Sequence, residues 1–318
     1  MPRFLKRQAF YLVLEFLFTG LLSISVKGEV PDPLAPSTLT GTDGKSVLAV
    51  KCYPNGRMKG YCMSFDDGTL VTDAKIIAIL NKYGLKATFF INSQHPQSQD
   101  ALKNPTVYEG HEIASHGAHH QGLDHLSLEE AKREVTTDQQ ILGDIFHCQV
   151  QGFAYPYGAV PKTGDKRKEL EDMLASLGIR YARWTNGGSL QPPDRFMTWK
   201  PGGGIDANAA GHYVKMPVQD HILLLTAWGH SRDLEKDKGW EKADMLCQLL
   251  ADSQSLVWMG TYLEITKYVE ALRAVKIENG EIYNPSSDTT IWVRLGGKSI
   301  SIKSGEHWHS DEKTLNKD

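Results

Sequence analysis

Short apolar strands alternate with amphipathic helices along most of this chain, and this alternation restricts the fold more than any other feature. An apolar strand that ends at Asp66 is followed by helical spacing of apolar residues over 73–83 and by a second buried strand at 88–91. Strand–helix units recur up to a final helix at 262–275. Because strands connected by helices pair in parallel, we predict an α/β fold, either a (β/α) barrel or an open parallel sheet.

Two adjacent carboxylates, Asp66 and Asp67, end the first of these strands within the run SFDDG at 64–68. Successive side chains of a strand point to opposite faces, so both carboxylates can face one cleft only where the regular strand ends. Gly68 allows the unusual backbone that this requires. Carboxylates at the mouth of an apolar strand are costly unless a cation or proton chemistry compensates. A solvated turn with Asp as a helix N-cap is the alternative.

Histidines cluster in the loop that follows the short strand at 110–115. His116 and His120 are four residues apart, and they would point the same way if the loop formed one helical turn, an arrangement suited to binding a divalent ion. For the pair alone, a surface loop or a satisfied polar network is the alternative. Together with the carboxylates one strand–helix unit earlier, the pair completes the two-histidine, one-carboxylate set of an open catalytic zinc site.

Another histidine, His230, follows the apolar run at 221–227 and the dipeptide Trp228-Gly229. At the end of a buried strand, a histidine is placed to act as a general acid or base near neutral pH. A structural histidine that donates to a backbone carbonyl is the alternative.

With these runs in this order, residues 58–270 resemble the polysaccharide deacetylase (NodB-homology) family, carbohydrate esterase family 4. The runs at 64–68 and 110–120 (GHEIASHGAHH) are similar to the first two motifs of the family. The run at 153–158 (FAYPYG) matches the third motif, and that at 228–231 (WGHS) resembles the last. The resemblance implies a deformed (β/α) barrel of the NodB-homology type.

The resemblance also implies a role for each of the site residues. A divalent metal ion, expected to be Zn²⁺, would be bound by Asp67, His116 and His120. The implied catalytic roles are base for Asp66, general acid for His230, and oxyanion-binding backbone N–H for Tyr157.

The chain departs from the family pattern at three places. Gly117 replaces a hydroxyl residue whose hydrogen bond steadies the histidine-bearing loop. Ala154 stands where the family often has an arginine oriented on the catalytic Asp, and we expect Arg183, at the end of a later strand, to take its place. The fourth motif, an Asp/Trp segment, is not recognisable around 195–201.

The activity that the resemblance implies is hydrolysis of N-acetyl groups of a polysaccharide, such as a glycan containing N-acetylglucosamine. An O-acetyl esterase on an acetylated glycan, or a non-catalytic carbohydrate-binding member of the family, are the alternatives. The formal charge of −3 argues against a nucleic-acid partner, which usually requires a basic surface. Five aromatic residues near strand ends could line a sugar cleft or pack in the core: Tyr155, Tyr157, Trp184, Trp199 and Trp228.

The first residues, 1–28, have a basic start, a mostly apolar stretch and small residues, which indicates a secretory signal peptide and a secreted or periplasmic protein. An uncleaved membrane anchor is the alternative. We expect 29–57 to be an N-terminal extension, 58–275 the deacetylase domain, and 276–318 a small β-hairpin appendage with a polar tail. The four cysteines could pair in three ways, and the sequence does not decide among these and free thiols.

Overall fold

A computed structural model describes residues 32–41, 44–161, 164–185, 187–218 and 220–310. The predicted signal peptide at 1–28 and the end of the polar tail lie outside these ranges. In the part of the chain that is described, no helix combines the length and the apolar character needed to cross a membrane.

Fifteen strands and seven α-helices are present in the described ranges. The strands are Ser37–Thr40 (β1), Ser46–Cys52 (β2), Lys59–Asp66 (β3), Thr88–Ile91 (β4), Glu112–Ser115 (β5), Gly152–Ala154 (β6), Tyr181–Arg183 (β7), Gly203–Gly204 (β8), Leu223–Gly229 (β9), Val257–Met259 (β10), Lys276–Glu278 (β11), Glu281–Tyr283 (β12), Ile291–Leu295 (β13), Lys298–Ile302 (β14) and His307–His309 (β15). The α-helices are Leu70–Lys82 (α1), Gln99–Lys103 (α2), Leu128–Phe146 (α3), Asp165–Ser176 (α4), Ala207–Lys215 (α5), Gly239–Asp252 (α6) and Tyr262–Ala274 (α7).

Eight strands form one parallel sheet with the order β7-β6-β5-β4-β3-β9-β8, and β10 pairs with the first residues of β3. Helices cover this sheet, and every residue of the central strand β3 is buried, which is why that segment is almost continuously apolar in sequence. The arrangement is the predicted deformed (β/α) barrel. Its consequence for function is that the carboxyl ends of β3, β5, β6, β7 and β9 meet at one edge, where such folds place their sites.

The predicted helices begin and end within a few residues of the observed ones. Helix α3 starts as expected, with Ser127 as N-cap and Glu130 as its capping-box partner. Helix α1 starts at Leu70, three residues before the predicted Asp73. Helix α5 was not predicted, since its nine residues include Gly211 and leave only a short apolar stripe.

Extra antiparallel strands at the C-terminus pair with the N-terminal segment. Strands β13 and β14 form the predicted hairpin around Gly296 and Gly297, and β13 also pairs with β2, so that one sheet has the order β1-β2-β13-β14. The buried residues of β13 alternate with partly exposed ones, as expected for a sheet that packs one face on the core. Strands β11, β12 and β15 form a separate small sheet.

All four cysteines are free in the structure, which decides the question that the sequence left open. Cys52, Cys62 and Cys247 are buried, and Cys148 is exposed. Burial raises the pKa of the Cys52 and Cys247 thiols to about 12, so these side chains pack as small apolar groups.

Candidate metal centre and active site

Asp66 and Asp67 lie at the carboxyl end of β3 and have different backbone conformations. Asp66 is the last residue of the extended strand, whereas Asp67 has a φ of 78° and Gly68 a φ of 65°. A Cβ atom at Gly68 would lie 2.9 Å from Cγ2 of Ile91, so glycine is required both by the positive φ and by this close approach. The chain turns at once, and both buried carboxylates come within 3.7 Å of the His116 ring.

His116 and His120 belong to residues 116–120, which we name the histidine loop. The loop is not the helical turn that the spacing suggested, because Gly117 (φ 77°) and His120 (φ 58°) have left-handed backbones. The two imidazole centroids are nevertheless 4.8 Å apart. The Nε2 atoms of His116 and His120 lie 3.6 and 3.5 Å from Oδ1 of Asp67. The two rings and the carboxylate therefore converge on one point.

These three side chains fit a divalent metal ion. Their ligand atoms lie within 4.8 Å of one another, and Oδ1 of Asp67 is buried without a hydrogen-bond partner, which is costly unless a cation compensates. Nδ1 of His116 donates to the carbonyl oxygen of Ala154 at 2.9 Å, leaving the Nε2 lone pair for a ligand bond. Burial lowers the pKa of His116, and burial with the nearby His116 lowers the pKa of His120 to about 4. Both rings are therefore neutral at pH 7, as metal ligands must be.

Asp66 is paired with Arg183, the residue expected to replace the arginine that is absent at Ala154. Nη2 of Arg183 donates to Oδ2 of Asp66 at 2.5 Å, and both side chains are buried. Ala154 and Arg183 are register neighbours on β6 and β7, so the guanidinium reaches Asp66 from the adjacent strand. The rings of Phe90 and Trp228 flank the guanidinium at 5.0 and 4.7 Å. Oδ1 of Asp66 has no partner.

Asp138, whose buried carboxyl lies on α3, supports the histidine loop through hydrogen bonds. It accepts hydrogen bonds from the Ser115 hydroxyl at 2.5 Å and from the His116 backbone N–H at 3.2 Å. Nδ2 of Asn92 donates to the carbonyl oxygens of His116 and Gly117 at 2.6 and 2.8 Å. Burial, partly offset by the hydrogen bonds, raises the pKa of Asp138 to about 6. These contacts steady the histidine loop, in which Gly117 has no side chain to form a hydrogen bond of its own.

His230 begins the segment 230–235, which we name the His230 turn. Its Nε2 lies 3.6 Å from Oδ2 of Asp67, and its Nδ1 donates to Oδ2 of Asp233 at 3.0 Å. The His230 side chain is 26% exposed, whereas that of His116 is 3% exposed. His230 therefore lies on the predicted cleft and has, in Asp233, an orienting carboxylate that the sequence reasoning did not identify.

Arg232, in the same turn, was also not predicted. Its Nη1 donates to Oδ2 of Asp67 at 2.5 Å. Burial opposes ionisation of Asp67, but contacts with His116, Arg232 and His230 outweigh it and lower the pKa of this carboxyl. No local signal could have marked Arg232, because its partner is 165 positions away in the chain.

Two buried carboxyls that support the site could have been found from helix periodicity. Asp73 on α1 stands three and four positions before the buried Ile76 and Ile77, and Asp138 on α3 stands three positions after the buried Val135. An acidic residue on the core-facing stripe of a helix is almost never fully buried unless it is paired. Such a residue therefore indicates a hydrogen-bonded site beneath the helix.

Tyr157 has a left-handed backbone, with a φ of 58°, and the residue is 74% exposed. Its hydroxyl lies 3.1 Å from Nδ1 of His120, so the tyrosine closes one side of the cleft. Among the other aromatic candidates, Tyr155 and Trp199 are 1% exposed and belong to the core. Trp228 packs on the guanidinium of Arg183.

Known proteins are similar in sequence to the segment that contains the two aspartates and the histidine loop. Residues 54–182 match the family described as polysaccharide deacetylase. This segment of the chain is therefore similar to polysaccharide deacetylases. Chitin deacetylase 1 of Cryptococcus neoformans is 25% identical over 152 residues, which are 47% of this chain and 31% of that protein. Peptidoglycan-N-acetylglucosamine deacetylase PgdA of Listeria monocytogenes is 29% identical over 129 residues, 40% of this chain and 26% of that protein.

The fold of the chain is also that of a solved structure. A Mycobacterium smegmatis protein assigned as a polysaccharide deacetylase superposes with a TM-score of 0.53 at 15% identity, covering 72% of this chain and 96% of that one. The chain spans less than half the length of the sequence relatives named above. The family segment contains both aspartates and the histidine loop, while Arg183 and His230 lie beyond its end.

Proposed function

We propose that this protein is a metal-dependent deacetylase that hydrolyses N-acetyl groups of a polysaccharide containing N-acetylglucosamine. The proposal rests on the different contacts that the adjacent carboxylates of Asp66 and Asp67 make. Oδ2 of Asp66 is paired with a buried arginine, whereas Oδ1 of Asp67 faces the two histidine Nε2 atoms. Relatives named as chitin and peptidoglycan deacetylases support the substrate class.

We assign Asp67, His116 and His120 as the residues that hold the metal ion. Two imidazoles and one carboxylate are a typical donor set for catalytic Zn²⁺, and Zn²⁺ is the ion that we propose. When bound, such an ion polarises a carbonyl group and makes water a stronger nucleophile near neutral pH.

Asp66 is the proposed general base. Its Oδ2 is held by Arg183, so Oδ1, which has no partner, is the atom that would take a proton from the attacking water. Arg183 then serves as the positioning residue that orients this carboxylate. Arg183→Lys should retain part of the turnover and Arg183→Ala little of it; unchanged turnover in Arg183→Ala would refute the assignment.

His230 is the proposed general acid. An amine is a poor leaving group, so Nε2 of His230 would donate a proton to the departing nitrogen. The Asp233 carboxylate, bonded to Nδ1, orients the ring so that Nε2 faces the cleft. The backbone N–H of Tyr157 is the proposed donor to the oxyanion.

The proposed catalytic domain spans residues 58–275, and the proposed location is secreted or periplasmic, on the basis of the first 28 residues. A polysaccharide or oligosaccharide is the proposed partner. The strands of 29–57 and 276–310 pair with one another, which suggests that they brace the domain together.

Acetate release by the purified chain with added zinc tests the proposal. N-acetylglucosamine oligomers and acetylated xylan serve as parallel substrates, and Asp66→Asn is the control because it preserves the side-chain shape. Release from the oligomers that Asp66→Asn abolishes would support the deacetylase and its base together. Release from xylan alone would make the protein an O-acetyl esterase. No release from either, with metal bound, would favour the non-catalytic carbohydrate-binding alternative.

A further inference from the structure

The guanidinium of Arg232 contacts the same carboxylate that faces the two histidines. Oδ1 of Asp67 is directed at His116 and His120, at 3.6 and 3.5 Å, and Oδ2 accepts from Nη1 of Arg232 at 2.5 Å. The Arg232 side chain is 40% exposed, so it contacts Asp67 while part of it remains open to solvent. The two oxygens of Asp67 thus have separate partners.

The backbone that carries Arg232 is fixed by a buried hydrogen-bond network. The hydroxyl of Ser231 donates to Oδ1 of Asp73 at 2.5 Å and lies 2.7 Å from the Thr72 hydroxyl. The Tyr108 hydroxyl donates to the other oxygen of Asp73 at 2.7 Å. Ser231, Asp73 and Thr72 are all buried, so the residue before Arg232 has little freedom to move.

We propose that Arg232 is a positioning residue of the metal centre, which holds Oδ2 of Asp67 so that only Oδ1 is presented to the ion, and which weakens this carboxylate as a donor. The proposal rests on the metal site assigned above. It is independent of the glycan and of the bond that is hydrolysed.

The sign of the expected effect follows from the charge of Arg232. Outer partners that are neutral or negative raise the basicity of a metal ligand. A guanidinium draws negative charge away from the carboxylate and repels a dication nearby, so it lowers metal affinity and leaves the bound ion more electron-poor. Asp67 is only 6% exposed and its backbone is fixed by the turn at the end of β3, so without Arg232 the residue stays at the site and only its carboxylate can turn. The charge effect should therefore exceed the loss of positioning.

The test compares the full chain with Arg232→Gln, Arg232→Lys and Lys236→Gln. Lys236 is an exposed cation just after the same turn, so its substitution removes one positive charge without contacting the site. The Kd for Zn²⁺ is measured by chelator competition, and the visible spectrum of the Co²⁺-loaded protein reports the coordination of the ion. Circular dichroism and thermal unfolding check that each variant is folded.

We expect Arg232→Gln to bind Zn²⁺ about tenfold more tightly than the unmodified chain. Its Co²⁺ spectrum should weaken as Asp67 gains freedom to use both oxygens, and its turnover should fall. The Zn²⁺ affinity of Arg232→Lys should lie between those of the unmodified chain and Arg232→Gln. Lysine keeps the positive charge but lacks the planar fork of arginine. Lys236→Gln should match the unmodified chain in all three measurements.

Two results would overturn the proposal. An unchanged Zn²⁺ Kd and Co²⁺ spectrum in Arg232→Gln would show that the guanidinium does not act on the ligand. Weaker Zn²⁺ binding by Arg232→Gln together with a lower unfolding temperature would show that Arg232 stabilises the fold and does not tune the ligand. Metal titration needs no acetate release, so tighter binding by Arg232→Gln with no active substrate would refute the proposed function and leave this proposal supported.

Discussion

The histidine loop and the His230 turn face the same carboxylate, Asp67, from opposite sides, and they differ in exposure and in support. In the histidine loop the His116 side chain is buried, and Asp138 accepts a hydrogen bond from the backbone N–H of His116 itself. The His230 turn is partly open to solvent, and Asp73 reaches it only through side-chain hydroxyl groups.

This difference matches the chemistry proposed for each side. A metal ligand must stay neutral and fixed, which burial and a backbone hydrogen bond provide. A general acid must regain a proton from solvent in every turnover, which requires an exposed edge. A buried carboxyl behind each segment supplies rigidity, while solvent access separates the two roles.

The largest expected effect comes from removing one histidine from each side. His116→Ala should lose metal affinity by at least about 100-fold, because it removes a ligand rather than an outer partner. His230→Ala should keep its metal affinity and lose about 10²- to 10⁴-fold in kcat on an N-acetyl substrate. Zinc competition and acetate release measure the two quantities. Equal losses of metal affinity in both variants would erase the distinction between the two segments.

Asp138→Asn should weaken the hydrogen bonds that support the histidine loop and leave the His230 turn unaffected. The amide cannot accept from every donor that the carboxylate serves, so we expect a loss of about 1–3 kcal/mol in the free energy of unfolding and of about 10- to 100-fold in metal affinity. Urea unfolding and zinc competition measure these changes. Ser115→Ala removes a single donor and should give a smaller change of the same kind; a larger change there would mean that the hydroxyl, not the carboxyl, is the support.

Asp73→Asn should change the pH dependence of stability. Burial raises the pKa of Asp73 from its ordinary 3.8 to about 7, so between these values the folded protein holds a proton that the unfolded chain releases. The stabilisation is complete below about pH 4 and is lost as the pH rises to about 7, with a slope of at most about 1.4 kcal/mol per pH unit. Urea unfolding from pH 4 to 8 should show this contribution disappear in Asp73→Asn.

Asp138→Asn is the matched comparison, because burial raises the pKa of the Asp138 carboxyl to about 6. The pH-dependent stabilisation that this variant removes should end near pH 6 rather than pH 7. Identical pH windows for the two variants would contradict the assignment of separate carboxyls to the two segments.

Tyr157→Phe should have the smallest effect. It removes the hydroxyl that lies 3.1 Å from Nδ1 of His120 but keeps the backbone N–H proposed to bind the oxyanion. We expect kcat to fall by less than about tenfold, in line with the loss of one hydrogen bond. A fall above 100-fold in acetate release would assign the catalytic role to the hydroxyl instead.

The elements that depend on short-range patterns could be predicted from the amino-acid sequence. Alternating strands and helices gave the parallel sheet, and the runs at 64–68 and 116–120 brought Asp67, His116 and His120 together, since parallel strands end at one edge. The hairpin at Gly296-Gly297 and the capping box at Ser127 followed from the same kind of local pattern.

Contacts between distant segments could not be predicted in the same way, because they depend on how the elements pack. Arg232 reaches Asp67 across 165 positions, and Ser231 reaches Asp73 across 158. Arg183 was expected near Asp66 only by comparison with the family, and its 2.5 Å bond depends on the register of β6 and β7. Pairing of β2 with β13 joined two segments that were described separately from sequence. Local patterns fix which face of an element is apolar, but only packing fixes which polar groups meet across it.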